Sequence, residues 1–600
     1  MKNIILKILG VFFLTGLFSC EDVFLDKEPI DIISDAVVWE DERLVEAYLD
    51  EILHDMYFNF NECVRPGGKA RIGWEVWDTQ TITQVSDEAR HSKVWRNEHK
   101  KWGKGLIDEG GGGFQQLWAY SEIRRCNEII GKMENSSLGD DAKLGMTTKA
   151  RWARAMIYFA MVKRFGGIPL ITEAQSIDAP EDELFQPRAK EVDVYDFIIS
   201  EVDAIVEDMP DVERQGYPSK WAAYALKSRA ALFAASIASF GTVQLDGVLG
   251  IPASDAQRFW QASYDASKKI IDEGGFALYN KFPDDKVKNY RQVFLDESDN
   301  PESIFALSFN GKEQEGFNHG WDNVTAPAGY SLWGATACAY LDMVEAFDNV
   351  DGTPGTFDRA KYEGGLWTAE EIFANKEPRF HATILTQGSA WQGNTIDMYT
   401  HLILPDGSEM SGSNSSYEGV LASGLSGKEG SGVTGFNAIK YTDESNIMPG
   451  RKSSEQDYMV FRYAEILLNC AEAAIELNHP EEALTYINQI RERAGVALIG
   501  SADQDAVRHE RKIELAFEAH SWFDQRRWRT AADAISRPFK ALNYKLDYNS
   551  VADGSPKYLI TVVDGVDGAN EKYFPEKLYY LPITPNRISN NPKMLENPGY

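Results

Sequence analysis

The densest gathering of potentially reactive side chains in this chain lies between Glu510 and Arg527, where Glu510, Arg511, Glu514, Glu518, Asp524 and Arg527 follow one another closely. Such a set could form a reaction centre, but it reads as a scaffold of ion pairs, because pairing is how buried charges persist. Glycoside hydrolysis would need two carboxylates at a defined separation. With 92 acidic residues in the chain, candidate pairs are too abundant to single any out.

Other catalytic signatures fail on context. Gly430-Ser431-Gly432-Val433-Thr434-Gly435 formally matches GxGxxG, but it lies in a Gly/Ser-rich stretch with no strand before it and no helix after. There is no P-loop, HExxH or GxSxG pattern. The nine histidines show no ligand spacing. Asp348-Asn349-Val350-Asp351-Gly352 reads as a turn rather than a calcium loop. Cys63, Cys126, Cys338 and Cys470 are scattered, which fits neither a disulfide framework nor a zinc site. No catalytic residue, metal or cofactor is therefore expected.

Tryptophan stands out instead, with fifteen in the chain and many outside helical patterns. An aromatic ring offers a flat apolar face that matches the C–H face of a sugar and costs little entropy to order. Acids, amides and guanidinium groups beside it hold hydroxyls.

The elements that would position such rings follow from apolar spacing. From Val460 to Ile475 the residues Phe461, Ala464, Leu468, Ala471 and Ile475 repeat at helical intervals, opposite Glu465, Asn469, Glu472 and Glu476. Pro480 suits a first helical turn and Gly495 a stop, and a third helix is expected from about Asp503 to Trp528. Upstream, helices are expected over Glu40–Met56, from Phe114, over Lys149–Phe165, Val192–Met209 and Phe259–Glu273, and after Ser219 as a cap. Hairpins of this kind bury their faces by stacking, as in tetratricopeptide repeats. Residues 59–113 lack periodicity and are rich in tryptophan, and residues 280–454 mix short β-like runs, such as Ser303–Ser308 and Ala382–Thr386, with Gly, Ser, Asn and Asp. The expected architecture is mainly α: a tetratricopeptide-like helical-hairpin scaffold with a loop-rich, mixed insert forming the ligand face.

At the start of the chain, Lys2 and Lys7 flank a short apolar run that ends in Leu17-Phe18-Ser19-Cys20. This reads as a signal peptide with a lipobox-like cysteine, although Phe18 is bulkier than the usual pattern. Acylation of Cys20 would tether the chain to a membrane without spanning it. A net charge of −31 makes nucleic acid and anionic headgroups poor partners.

The run Arg462-Tyr-Ala-Glu465-Ile-Leu-Leu-Asn469-Cys-Ala-Glu472-Ala, followed by Ile487-Asn488-Gln-Ile-Arg491-Glu-Arg493-Ala-Gly495, resembles the SusD/RagB family. So do Glu510-Arg511-Lys-Ile-Glu514-Leu-Ala-Phe517-Glu518 with Phe523-Asp524-Gln-Arg526-Arg527-Trp528, and Trp118-Ala-Tyr120 with Phe165-Gly166-Gly167-Ile168-Pro169. The tail, Leu581-Pro582-Ile583-Thr584-Pro585 and Asn597-Pro598-Gly599-Tyr600, matches as well. The resemblance implies a cell-surface, outer-membrane lipoprotein that binds oligo- or polysaccharide and works with a SusC-like TonB-dependent transporter, without bond chemistry. A peptide ligand of the RagB type, a lipid-anchored glycosidase and a purely structural adaptor are the alternatives. It also implies a division into a signal (1–19), an N-terminal helical region (20–275), a ligand-facing insert (276–455) and C-terminal helices with a tail (456–600). By location in the family, the expected ligand residues are Trp95, Asn97, Trp102, Trp321, Asn323, Tyr330 and Trp333, with Trp391 weaker.

Overall fold

The computed structural model describes residues 35–60, 78–92, 101–108, 116–309, 318–424, 433–450 and 453–600. Its architecture is mainly α, a tetratricopeptide-like row of helical hairpins. The N-terminal part of the row is α1 (Glu42–Phe60), α2 (Tyr120–Glu134), α3 (Asp140–Phe165), α4 (Glu191–Ile205), α5 (Lys220–Phe240) and α6 (Ala256–Glu273). Helices α1 and α2 pack on α3, and the sequence α3, α4, α5, α6 continues by neighbour contact. Then α7 (Tyr463–Glu476) lies on α6, and α8 (Pro480–Ala494) lies on α7.

Local chemistry sets these ends. The Ser219 hydroxyl accepts from the Ala222 amide at 3.4 Å, capping α5. Pro480 opens α8, and Gly495 closes it in the left-handed region at φ 77°. Helix α5 is buried on nearly all sides and rich in alanine, so neighbours approach closely. There the Ser228 and Ser267 hydroxyls bond across α5 and α6 at 2.8 Å.

Three sequence expectations are corrected. Tyr458–Arg462 is a strand rather than the start of a helix, and it pairs antiparallel with Ser303–Leu307. Its Met459 and Phe461 are buried while Tyr458 and Val460 are partly exposed, an alternation that suits a strand, and the helix begins at Tyr463. The expected helix 503–528 is two: α9 (Gln504–Glu514) and α10 (His520–Arg527). Phe517 and Ala519 take positive φ between them (61° and 65°). The break frees the carbonyls of Glu514 and Ala516 to accept from the Lys440 ammonium at 3.0 and 2.9 Å. Within 59–113, Asp78–Val85 is helical and Ala89–His91 is a strand paired with Ala337–Ala339.

A five-stranded sheet crosses from the insert into the tail, in the order Leu366–Trp367, Tyr558–Asp564, Lys540–Asp547, His401–Ile403, Glu409–Met410. Leu542, Tyr544, Leu546, Ile560 and Val562 join Phe380, Trp391 and Leu402 in a second core, separate from that of the helical row.

Buried charge joins the two. Arg462 donates to Glu302 (2.7 Å), Glu514 (2.9 Å) and Glu518 (2.7 Å). Arg493 pairs with Glu302 at 2.9 Å and also with Glu514. From the insert, Arg379 reaches Glu510 (2.5 Å), Glu514 (2.9 Å) and Glu377 (2.8 Å). Arg491 bridges Glu510 (3.0 Å) and Asp348 (3.1 Å). A second knot links Arg511 and Arg527 to Asp524 (2.7 and 2.8 Å) and Arg527 to Glu472 (2.6 Å). Burial pushes the Glu514 carboxyl up, but Arg493, Arg462 and Arg379 outweigh it and hold the group well below the usual carboxylate range.

Candidate functional site

The insert presents one tightly built turn, and the residues beneath it explain why it holds its shape. A short helix, Trp321–Thr325, is pinned by the buried carboxylate of Asp322. That carboxylate accepts from the Asp443 amide (2.9 Å), Asn446 (2.8 Å), the Ser454 hydroxyl (2.9 Å) and Gln456 (2.7 Å). Burial nevertheless pushes Asp322 up to about 6, because the loss of water outweighs these hydrogen bonds.

From this base the chain rises and returns. The Ala335 amide donates to the Ala326 carbonyl (2.7 Å) and the Thr336 amide to that of Val324 (3.0 Å). At the tip, the Tyr330 amide donates to the Pro327 carbonyl at 3.0 Å, with Gly329 at φ 90°. The Ser331 hydroxyl donates to the Asn323 carbonyl (2.9 Å) and accepts from the Gly334 amide (2.7 Å). A Cβ on Gly334 would sit 2.6 Å from the Ala326 carbonyl oxygen, so this return needs glycine. Held this way, the turn leaves Leu332 65% exposed, with Tyr330 and Trp333 half-buried.

The charge of one carboxylate reaches this turn. Burial raises Tyr330 above its ordinary value, and the nearby charge of Asp397 adds to it. Asp397 is itself half-buried and raised by burial, and it accepts from Gln387 at 3.0 Å. Gln387 also reaches the Tyr558 hydroxyl at 2.9 Å and takes the Met398 amide at 2.6 Å, which fixes its rotamer. The Tyr399 hydroxyl donates to the Leu421 carbonyl (3.2 Å), and the Gly424 amide returns to the Tyr399 carbonyl (3.0 Å). Rings with partly open edges, an exposed aliphatic tip and a hydrogen-bonded carboxylate can stack on a ligand and accept its hydroxyls. No group of three or more His, Cys, Asp or Glu side chains among the described residues is placed to hold a metal ion.

The sequence-expected residues divide into groups. Tyr330 and Trp333 share the turn. Trp102 and Trp321 are corrected: they are buried at 3% and 6% exposure and present no ring to solvent. Trp102 meets Trp522 edge-on at 6.0 Å, and the Trp321 indole donates to the Lys440 carbonyl at 2.9 Å. Asn323 is buried beneath the turn, and its side-chain oxygen has no partner among the described residues. Trp391 is fully buried, under the Arg291 guanidinium at 5.5 Å. Trp95, Asn97 and Cys20 lie outside the described residues, as do Trp74 and Trp77. Sequence reasoning missed Leu332, Gln387, Asp397 and Tyr399. For the last three no local pattern existed to find, since contacts across the insert bring them together.

Comparison with known proteins adds a separate line. A family model described as "SusD family" matches residues 301–600, and another described as "Starch-binding associating with outer membrane" matches 25–232. A SusD-like protein of Bacteroides ovatus is 23% identical over 538 residues, 88% of this chain and 82% of its own. A SusD-like protein of Bacteroides fragilis superposes with a TM-score of 0.71 at 23% identity, covering 96% of this chain and all (100%) of that one. A SusD-like carbohydrate binding protein of the same species superposes with a TM-score of 0.68 at 20% identity, covering 93% and 99%.

Proposed function

We propose that this chain, which belongs to the SusD family, is a glycan-binding protein that captures oligo- or polysaccharide at the outer membrane and passes it to a TonB-dependent transporter. The observation that carries the binding reading is the hydrogen-bonded turn 326–336, with Leu332 exposed, Tyr330 and Trp333 half-buried and Asp397 near enough for its charge to act on Tyr330. Apolar rings stack on the C–H face of a sugar while the carboxylate accepts hydroxyls. A structural relative described as a SusD-like carbohydrate binding protein supports the same reading. The site works by binding alone, with no nucleophile or acid–base pair assigned a role. Titration calorimetry on a panel of neutral and acidic polysaccharides, with a peptide panel in parallel, tests it. Binding of peptides and of no glycan would overturn the assignment.

Anchoring through an acylated Cys20 completes the proposal. The description of the family model for 25–232 names association with the outer membrane, and no helix among the described residues is long and apolar enough to cross a membrane. Cys20→Ala should leave the membrane fraction on cell lysis, and unchanged detergent partitioning would sink the anchor.

A further inference from the structure

Arginine is handled in two ways in this protein. Arg462, Arg493, Arg379, Arg511 and Arg527 are each buried against carboxylates. Beside the C-terminal tail the partners change. Arg526 is buried and donates to the carbonyls of Tyr579 (2.6 Å) and Arg164 (3.4 Å). Its Nε and Nη1 have no hydrogen-bond partner among the described residues, and the guanidinium lies over the rings of Trp522 and Phe523. Arg529 donates to the Tyr580 hydroxyl (2.7 Å) and the Arg526 carbonyl (3.2 Å). Neither arginine pairs with a carboxylate among the described residues.

Of the two, Arg529 sits at the edge of a cavity of about 280 Å³, lined also by Phe240, Leu249, Tyr579, Tyr580 and Lys577 among others. Arg529 reaches it from a left-handed backbone, φ 59°, which side-chain-bearing residues adopt only under tertiary constraint. Its guanidinium lies over the rings of Tyr579 and Tyr580, 4.8 and 4.9 Å from their centroids. Gly241 lies against it: a Cβ there would stand 3.4 Å from Nε and Nη2 and 2.5 Å from the Ile237 carbonyl oxygen. The head group is therefore fixed by rings, a hydroxyl and a bare stretch of backbone; burial opposes its charge, but nearby Tyr580 and Glu191 outweigh that and raise the group above its ordinary value, so it stays a cation with no carboxylate in direct contact among the described residues. The buried carboxylate of Glu191 accepts from Tyr580 (2.7 Å) and from the Gly250 amide (2.6 Å), so it meets Arg529 through the tyrosine rather than directly. Glu576 also lines the cavity but is exposed, where water and salt screen its charge.

We infer that this cavity is a second ligand site, distinct from the turn 326–336, for a small oxyanion carried on a ring-sized body. Arg529 and Lys577 take the charge, and the walls of Tyr579, Tyr580 and Leu249 take the ring. The guanidinium fork suits a carboxylate and a sulfate ester equally well. The volume falls just under the roughly 300–1,000 Å³ of drug-sized pockets, so it admits one ring and excludes a polymer.

Calorimetry on the full chain with glucuronate, glucose 6-sulfate, glucose and inorganic sulfate separates the possibilities. The expected result is binding of one or both ring anions, with the tighter one identifying the oxyanion, and none of glucose. Affinity for that ligand should fall about tenfold in Arg529→Gln and by a smaller factor in Lys577→Gln. Trp333→Ala should leave it unchanged, so this result stands apart from that at the glycan face. If melting curves show that Arg529→Gln does not fold, the partly exposed Lys577→Gln decides. Glucose bound as well as glucuronate, inorganic sulfate bound as tightly as the ring anions, no ring anion bound, or unchanged affinity in the folded variants would each overturn the inference.

Discussion

The ion network around Glu514 and the turn around Trp333 use polar chemistry in opposite ways. Glu514 is fully buried and accepts from Arg462, Arg379 and Arg493. The turn keeps its hydrogen bonds in the backbone and in Ser331, and leaves Leu332, Tyr330 and Trp333 at the surface. Charge paired within its own chain has little left to offer a ligand, whereas partly exposed rings on a hydrogen-bonded backbone can still meet one. By this contrast, damage to the network should appear as lost stability and damage to the turn as lost affinity.

The largest test of that division is Glu514→Ala. It leaves Arg462, Arg493 and Arg379 each short of a partner, and stranding a buried charge costs about 3–5 kcal/mol. Chemical denaturation should show that loss, while the folded fraction keeps its ligand affinity; lost affinity at unchanged stability would break the comparison. The pH dependence has a definite sign. The folded carboxyl lies well below the 4.5 of an unperturbed glutamate, so its contribution is complete above that pH and is lost progressively as pH falls toward the lower folded value. The gap between wild type and Glu514→Gln should accordingly narrow on acidification.

Asp322→Ala should have the next largest effect, because it strips the acceptor from Asn446, Gln456, Ser454 and the Asp443 amide. A cost of about 1–3 kcal/mol is expected. Since Asp322 sits under the turn, it should lower stability and affinity together, and a drop in only one would redraw the boundary between the two regions. At the turn itself, Trp333→Ala and Tyr330→Ala should each weaken glycan binding about tenfold, or about 1.4 kcal/mol, with melting curves little changed. The smallest effect is expected from Asp397→Asn, about 1 kcal/mol in affinity for ligands whose hydroxyls it accepts. Calorimetry on the same glycan would show whether that carboxylate belongs to the face.

Much of the scaffold was legible in the sequence because local rules fix it. Apolar spacing located the row, and Ser219, Pro480 and Gly495 marked helix ends whose chemistry is complete within a few residues. What escaped depends on distant partners. Tyr458–Arg462 is a strand because Ser303–Leu307 lies beside it. The helix expected to run through residues 515–519 breaks where Lys440 and Arg462 draw off carbonyls. The site was readable only in part for the same reason. A tryptophan in a non-periodic stretch reads alike whether exposed or covered, and Trp102 and Trp321 are covered by Trp522 and Tyr441. Tyr330 and Trp333 stay near the surface because the glycine-dependent return at Gly334 holds them there.

The five-stranded sheet also dictates an order of events in time. Its central strands, Lys540–Asp547 and Tyr558–Asp564, leave the ribosome long after the flanking Leu366–Trp367 and His401–Ile403. The helical row from α1 to α6 can stack as it is made, through contacts local in sequence. The insert must wait with its sheet open and its edges unpaired until nearly the whole chain exists, which is when a nascent protein is most exposed to wrong association. A chain cut short before residue 540 would keep most of its helices and lose the two strands that hold the insert's sheet together.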